Sequence, residues 1–314
     1  MGTPEFAVPA LEALHRSHSI VGVYTQPDKP VGRGLDLKCS PVKEKAIEFG
    51  LRVFQPLKLS APGEFEKLTE LRPDIIVVVA YGQILKKNVL ELPRLGCVNI
   101  HSSLLPRWRG AAPIQWAILN GDPETGISTM HLVEKLDAGA VLIQAKTPIS
   151  ITDTAGTVHD RLAKMGAELI LPTLEGLANA TLVGREQDES LVTYASKLAK
   201  EMEWLETSET AEVLDRRIRA LNPWPGTSVN ILTSDSKPQR LKIKEAVVHS
   251  DIRGQSGEIF ERAGMVLLGT AAGSLELKRL QWEGKKEVDP ASFLNGLKGR
   301  GIRLPLTVPK NSAV

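Results

Sequence analysis

The sequence predicts an α/β protein: a doubly wound, mostly parallel sheet domain followed by a small antiparallel β-barrel. Three observations carry that reading. In the first two-thirds, continuous Val/Ile runs alternate with helical stretches, as in strands buried on both faces and joined by helical crossovers. Near residue 185 the alternation gives way to a polar, charged stretch. Beyond about residue 227, short alternating strands recur every 10–15 residues with Gly or Ser-Asp turns between them.

The elements follow in order. The chain opens "MGTPEF", where Thr3 reads as a helix N-cap, Pro4 as the first helical residue and Glu5 as a favourable first-turn charge. "PEFAVPALEALHR" then predicts a helix, "SIVGVYT" (19–25) a strand, and "SPVKEKAIEFG" a second helix. "DIIVVVA" (74–80) and "CVNI" (97–100) predict further strands, with a helix over "YGQILKKNVLEL" between them. "GISTMHLV" (126–133), "AVLIQAKTPI" (140–149) and a helix near 155–178 complete a first domain of residues 1–185. Residues 186–208 are expected to form a linker. A second domain, 209–314, begins with a helix near 209–221 that two prolines stop at Asn222-Pro223-Trp224-Pro225. Its strands are "SVNILT", "RLKIKEAVV", "GEIFE", "GMVLLGT" and "SLELKRLQ".

Composition narrows the functional classes. With 314 residues, 42% of them hydrophobic and 24% charged, one or two packed cores are expected, and two fit better. No apolar run reaches the ~18 residues of a membrane span and no signal-peptide pattern opens the chain, so a cytoplasmic protein without membrane contact is expected. Cys39 and Cys97 are the two cysteines; neither a disulfide framework nor a metal site is anticipated. The net charge of +2 announces no nucleic-acid partner, yet residues 237–310 hold 14 basic against 8 acidic side chains.

The chemistry concentrates in "CVNIHSSLLPRWRGAAPIQW" (97–116). Asn99 and His101 stand at i and i+2, so on a strand their side chains share one face. Their place at the strand's carboxyl end is where open α/β sheets hold ligands. An amide donor beside an imidazole suits a carbonyl under attack, with Asn99 and His101 stabilising the oxyanion. Asp137, in "EKLDAGAV", is a third group able to orient the histidine or take a proton. A lone strand-end histidine is more often a satisfied structural one, and Asn99 alone reads as a turn former; Asp137 shifts that balance. The chain has neither a GxSxG elbow nor an evident Cys nucleophile, so direct attack by a substrate amine is the simpler route. GxGxxG and GxxxxGK[ST] are absent too, and Gly32-Arg33-Gly34 is a weak decoy in a long Pro/Gly-rich loop carrying Lys29, Arg33 and Lys38. Trp108 reads as a core anchor and His131 as a packed strand residue.

These residues resemble the enzymes that use 10-formyltetrahydrofolate, the formyltransferases. The Asn99-x-His101 pair, Ser103-Leu104-Leu105-Pro106, and Asp137 36 positions after the histidine resemble the signature of the whole family. "PRWRGAAPIQ" (106–115), "TQPDKPVGRG" (25–34), "VVVAYGQIL" (77–85), "NPWPGT" (222–227) and "LQWEGKK" (280–286) are similar to its tRNA-formylating branch, the methionyl-tRNA formyltransferases. The resemblance implies transfer of a formyl group from 10-formyltetrahydrofolate to the free α-amine of methionyl initiator tRNA, releasing tetrahydrofolate. It implies catalysis by Asn99, His101 and Asp137, and a folate site along Ser103, Leu104, Leu105 and Pro106, helped by backbone around Ala80, Tyr81, Gly82 and Leu85. It further implies that the long loop, with Arg33, Lys29 and Lys38, enters the acceptor stem of the tRNA, where unpaired ends are readable. The barrel resembles the family's OB-like domain, with Lys242, Lys244, Lys285 and Lys286, joined by Lys278 and Arg279, as phosphate contacts. No metal is implied, and a monomer is expected.

Two departures stand out. Ser102 occupies a position where a smaller residue is often seen. In the resembling family a short apolar strand precedes Gly-Thr-Pro, whereas here Met1 stands at its end; the expectation is a chain started at an internal methionine or truncated, lacking that strand. Competing readings are a formyltransferase for another amine, a formyl-folate hydrolase, or a folate or RNA binder without turnover.

Overall fold

Val/Ile runs become strands close to where the sequence places them. The Val23–Tyr24 strand pairs in parallel with Val53–Phe54, and Ile76–Val78 in parallel with Cys97–His101. Cys97–His101 continues antiparallel onto Glu124–His131, which pairs antiparallel with Val141–Pro148. Cys97–His101 is buried along its whole length, as a strand covered on both faces must be. On one face the helix Ala155–Ala178 approaches so closely that a Cβ at Gly166 would lie 2.7 Å from Ile100 Cγ2. Alternation therefore turns Asn99 and His101 to the opposite face.

The computed structural model describes residues 1–31, 36–232 and 238–309. Two compact units result: Met1–Pro113 with Glu124–Pro148 and Val158–Ser196, and Ile114–Pro123 with Ile149–Thr157 and Lys197–Val314. In the second unit six strands close a ring. Thr227–Leu232, Pro238–His249, Ser274–Trp282, Met265–Gly269, Glu258–Arg262 and Leu306–Thr307 pair antiparallel in that order, and Leu306–Thr307 returns to Thr227–Leu232. Alternate residues such as Val229, Ile231, Leu241, Ile243, Leu275 and Leu277 fill the interior. Leu214 and Ile218 of the helix Ala211–Ala220 pack on the same core, and Thr210 caps that helix by accepting from the Val213 amide.

The structure departs from the sequence reading in three places. "YGQILKKNVLEL" is helical only over Lys87–Leu90, because Ala80 (φ 46°) and Gly82 (φ 85°) hold left-handed backbone that no helix continues. Thr3 is not an N-cap: its hydroxyl donates to the Tyr81 carbonyl at 2.9 Å, and a short 3₁₀ turn, Glu5–Ala7, leads into the helix Val8–Ser17. Residues 186–208 divide between the units, since Tyr194–Ala195 pairs with Arg109–Gly110 and anchors the segment up to Ser196 in the first.

Between the Val23–Tyr24 and Ile76–Val78 strands lies a cavity of about 430 Å³, lined by Ala10, Leu14, Ile20, Leu71, Ile75 and Leu174 among others. Met1 and Gly2 cross one end of it. The Met1 ammonium donates to the Val77 carbonyl (2.7 Å), the Val79 amide to the Met1 carbonyl (2.9 Å), and the Gly2 amide to the Tyr24 carbonyl (3.0 Å). Two residues thus hold the position of a strand between the two parallel pairs.

Candidate active site

The strand Cys97–His101 delivers Asn99 and His101 to the same face at its carboxyl end, and both are buried. His101 Nε2 lies 3.0 Å from the Trp108 carbonyl oxygen; a carbonyl only accepts, so this nitrogen carries the proton. Nδ1 then faces Asp137 Oδ2 at 3.8 Å, beyond hydrogen-bond length and within ion-pair range. Asp137 Oδ2 accepts from the Gly110 amide at 2.8 Å, while its Oδ1 makes no hydrogen bond to a described residue. The Asn99 carboxamide likewise bonds to no described residue. An uncommitted amide, an oriented imidazole and a carboxylate oxygen able to accept a proton are thereby gathered, which the sequence alone could not show of residues 36 positions apart.

Backbone strain marks the same place. Asp137 (φ 47°) and Trp108 (φ 64°) are left-handed without being glycine, and Gly110 has φ 125°. At Gly110 a Cβ would lie 2.4 Å from the Ala195 carbonyl oxygen, so only glycine fits there. Trp108 is buried, as the anchor reading expects, with the Arg107 guanidinium 4.4 Å from its ring centroid. His131 is half-buried, and burial pushes its imidazole below the ordinary range; it is packed away from this group.

The turn after His101 is tied down by a residue that sequence reasoning missed. Ser128 Oγ donates to the Ser103 carbonyl (2.6 Å) and accepts from the Leu105 amide (3.0 Å) and from Gln144 Nε2 (2.8 Å). Ser103 and Leu105 are buried, Leu104 and Pro106 partly so. The Tyr81 and Leu85 side chains are buried in the core, and the Tyr81 carbonyl is occupied by Thr3 and Gln26. Ala80 and Gly82 remain exposed and offer their backbone.

The segment after Arg185 was missed as well. Thr193 Oγ1 accepts from the Trp108 amide (2.9 Å), and the Thr193 carbonyl accepts from the Arg109 amide (2.9 Å). Arg109 is wholly buried, with Nη2 2.8 Å from Glu189 Oε1. Hydrogen bonds from Arg109 and then Lys135 hold the Glu189 carboxyl well down, at about 2. Its only signal in the sequence is that Arg109 and Gly110 belong to the "PRWRG" run.

Of the basic candidates, Arg33 lies outside the described residues. Lys29 and Lys38 are exposed and face each other across the base of the loop as a two-stranded pair, Lys29–Val31 with Asp36–Lys38. In the second unit Lys244 and Arg279 both meet Glu287, and Lys278 meets Glu276 at 2.5 Å. Lys285 and Lys286 are exposed and Lys242 half-exposed, and none of the three makes an ion pair among the described residues. No cluster of three or more His, Cys, Asp or Glu able to hold a metal occurs among the described residues, and no helix among them is long and apolar enough to cross a membrane.

An α/β unit ending in this asparagine, histidine and aspartate, followed by a six-stranded barrel, matches two family profiles: Formyl transferase over residues 1–174 and Formyl transferase, C-terminal domain, over 197–298. The chain belongs to the formyl transferase family. It is 44% identical over 307 residues to the methionyl-tRNA formyltransferase of Marinobacter nauticus, covering 97% of this chain and 96% of that protein. With the methionyl-tRNA formyltransferase of Methylococcus capsulatus it shares 47% over 305 residues, 96% of this chain and 97% of that one. Among solved structures, the sugar 3N-formyl transferase WlaRD, crystallised with dTDP and 5-N-formyl-THF, aligns with a TM-score of 0.65 at 18% identity over 91% of this chain and 97% of that one. The N-formyltransferase of Helicobacter canadensis, in complex with folinic acid and dTDP-3-aminofucose, aligns at 0.64 with 19% identity over 88% and 96%. At such identity these two report the fold.

Proposed function

We propose that this formyltransferase carries the formyl group of 10-formyltetrahydrofolate to the α-amine of methionyl initiator tRNA. The observation that carries the proposal is the gathering of Asn99, His101 and Asp137 at one strand end, in a chain whose two domains both follow the methionyl-tRNA formyltransferases. The exposed backbone at Ala80 and Gly82 follows the strand Ile76–Val78, which pairs with Cys97–His101, and suits a flat, polar-edged pterin.

In this reading the amine nitrogen of the acceptor attacks the formyl carbon. Negative charge develops on the formyl oxygen, and the free Asn99 carboxamide donates to it. His101 donates from Nε2 once the oxyanion takes the place of the Trp108 carbonyl as acceptor. Asp137 Oδ1 accepts the amine proton, directly or through a water, while Oδ2 stays on the Gly110 amide and beside Nδ1. Collapse of the tetrahedral carbon breaks the bond to the donor nitrogen, which takes up the proton that Asp137 received, directly or through the same water, and leaves as tetrahydrofolate. The half-exposed Lys242 and the exposed Lys285 and Lys286, together with the loop of Lys29, Arg33 and Lys38, supply cations for the RNA backbone.

The test supplies 10-formyltetrahydrofolate with methionyl initiator tRNA, uncharged tRNA, an amino sugar nucleotide, glycinamide nucleotide or water as acceptor. Formyl-methionine formed on the charged tRNA alone supports the proposal. Transfer to a small amine, or release of formate, replaces it with that activity. Charge reversal at Lys285 and Lys286 is expected to weaken tRNA binding and to lower the slope of log affinity against log salt by roughly one per lost phosphate contact.

A further inference from the structure

Gln187 lies in the stretch that the sequence reads as a linker, yet each polar atom of its side chain is engaged at the candidate active site. Nε2 donates to the Asp137 carbonyl at 2.8 Å and to the Gly139 carbonyl at 2.7 Å, and Oε1 accepts from Arg109 Nε at 3.0 Å. Arg109, buried and fastened to Glu189, fixes which way round the amide stands, because a guanidinium can only donate. The backbone that Gln187 grips is strained at Asp137 (φ 47°) and crowded at Gly139, where a Cβ would lie 1.9 Å from the His131 carbonyl oxygen. Left-handed backbone at a non-glycine residue persists where its surroundings over-determine it, and two hydrogen bonds from one amide do that here. The neighbouring residue Gly110, whose amide holds the Asp137 carboxylate, is gripped from the same segment through the Arg109–Gly110 and Tyr194–Ala195 pairing.

We propose that Gln187 is a positioning residue for formyl transfer, holding the Asp137 backbone so that its carboxylate stays beside His101. The proposal rests on the reading that Asp137 acts in the reaction. It assigns the segment 185–195 a part in setting the site's geometry, in addition to joining two domains.

Gln187→Glu tests it with almost no change of shape. A glutamate keeps an acceptor for Arg109 and loses both donors to the Asp137 and Gly139 carbonyls. Formyl transfer to the acceptor established for the parent is measured for Gln187→Glu, Gln187→Ala, Asp137→Asn and the double variant Asp137→Asn/Gln187→Glu, with thermal unfolding alongside. Gln187→Glu and Gln187→Ala are each expected to lower kcat by about 10–100-fold, with the KM of donor and acceptor changed less than about threefold, as for a catalytic group displaced by a fraction of an ångström. In the Asp137→Asn background the second substitution should have little further effect, because a residue that acts through Asp137 has nothing left to position. Should Gln187→Glu fail to fold, Gln187→Ala, which adds no charge, carries the comparison. A kcat within twofold of the parent in the folded Gln187 variants overturns the proposal, and so does a loss that persists in full without Asp137. Near-normal turnover in Asp137→Asn overturns instead the reading on which it rests.

Discussion

In the proposed reaction, removing the His101 imidazole or the Asp137 carboxylate deletes interactions that form as charge develops. His101→Ala and Asp137→Ala are therefore each expected to cost about 10²–10⁴ in kcat with little change in folate or tRNA binding, as single-turnover rates and equilibrium binding would report. Gly110→Ala acts differently. It places a Cβ against the Ala195 carbonyl at a φ of 125° and moves the amide that holds Asp137. It should lower stability by about 2 kcal/mol or more and lower kcat as well, seen by thermal unfolding and steady-state rates on the same sample. The i, i+2 spacing of Asn99 and His101 was legible because a strand turns spacing into a shared face. The Trp108 carbonyl, the Gly110 amide and Gln187 were not, since backbone groups brought together from distant segments leave no periodic trace.

Among the elements, buried strands were the most legible, for runs such as "DIIVVVA" admit few other structures. The helix expected after Tyr81 failed because left-handed backbone at Ala80 and Gly82 overrides the helical pattern downstream. The long loop shows how an element is held at its base. Asp28 Oδ2 meets Lys43 Nζ at 2.5 Å and Oδ1 accepts from Gln55 Nε2 at 2.7 Å, and these bonds, that of Lys43 first, hold the Asp28 carboxyl below its usual range. A carboxyl depressed on folding contributes stability above its unfolded pKa of about 4, and that contribution fades as pH falls through the folded value. Asp28→Asn should loosen the loop and lower kcat/KM for tRNA about two- to fivefold, the size of a partly solvated ion pair, without changing the KM for the formyl donor. An unchanged tRNA kcat/KM would detach the loop from RNA recognition, and Arg33→Ala would be expected to show the same independence.

For the whole molecule, two domains of different architecture were legible from the change of period near residue 185. Their border at 196–197 was not, because Thr193–Ala195 is tied to Arg109–Ala111 by backbone bonds. The 430 Å³ cavity beside Met1 and Gly2 lies between the Val23–Tyr24 and Ile76–Val78 strands. Burial lowers the Met1 ammonium to about 5. Between pH 8 and 5 the unfolded chain binds this proton and the folded chain does not, so stability should decline as pH falls through that window. Placing four Val or Ile residues ahead of Met1 turns the ammonium into an amide and gives both strand edges a partner. At ~1.5 kcal/mol or more per buried side chain, on the order of 5 kcal/mol should be gained, enough to raise Tm by 5 °C or more and to flatten the pH dependence. The same four positions filled with Asp and Pro also remove the titrating amine and should flatten the pH dependence, but they should not raise Tm. Equal Tm for the three forms would mean that the cavity has no use for a strand.

In the proposed reaction Asn99, His101 and Asp137 act together on a formyl group bound for the amine of methionyl-tRNA. A single-turnover measurement tests it most directly: enzyme loaded with 10-formyltetrahydrofolate is mixed with methionyl initiator tRNA, and formyl-methionine is followed in the parent and in Asp137→Asn. The parent should complete transfer, and Asp137→Asn should be slower by about 10²–10⁴ with tRNA bound equally well. A parent that binds the charged tRNA and forms no formyl-methionine, or a variant within a few-fold of it, would contradict the account.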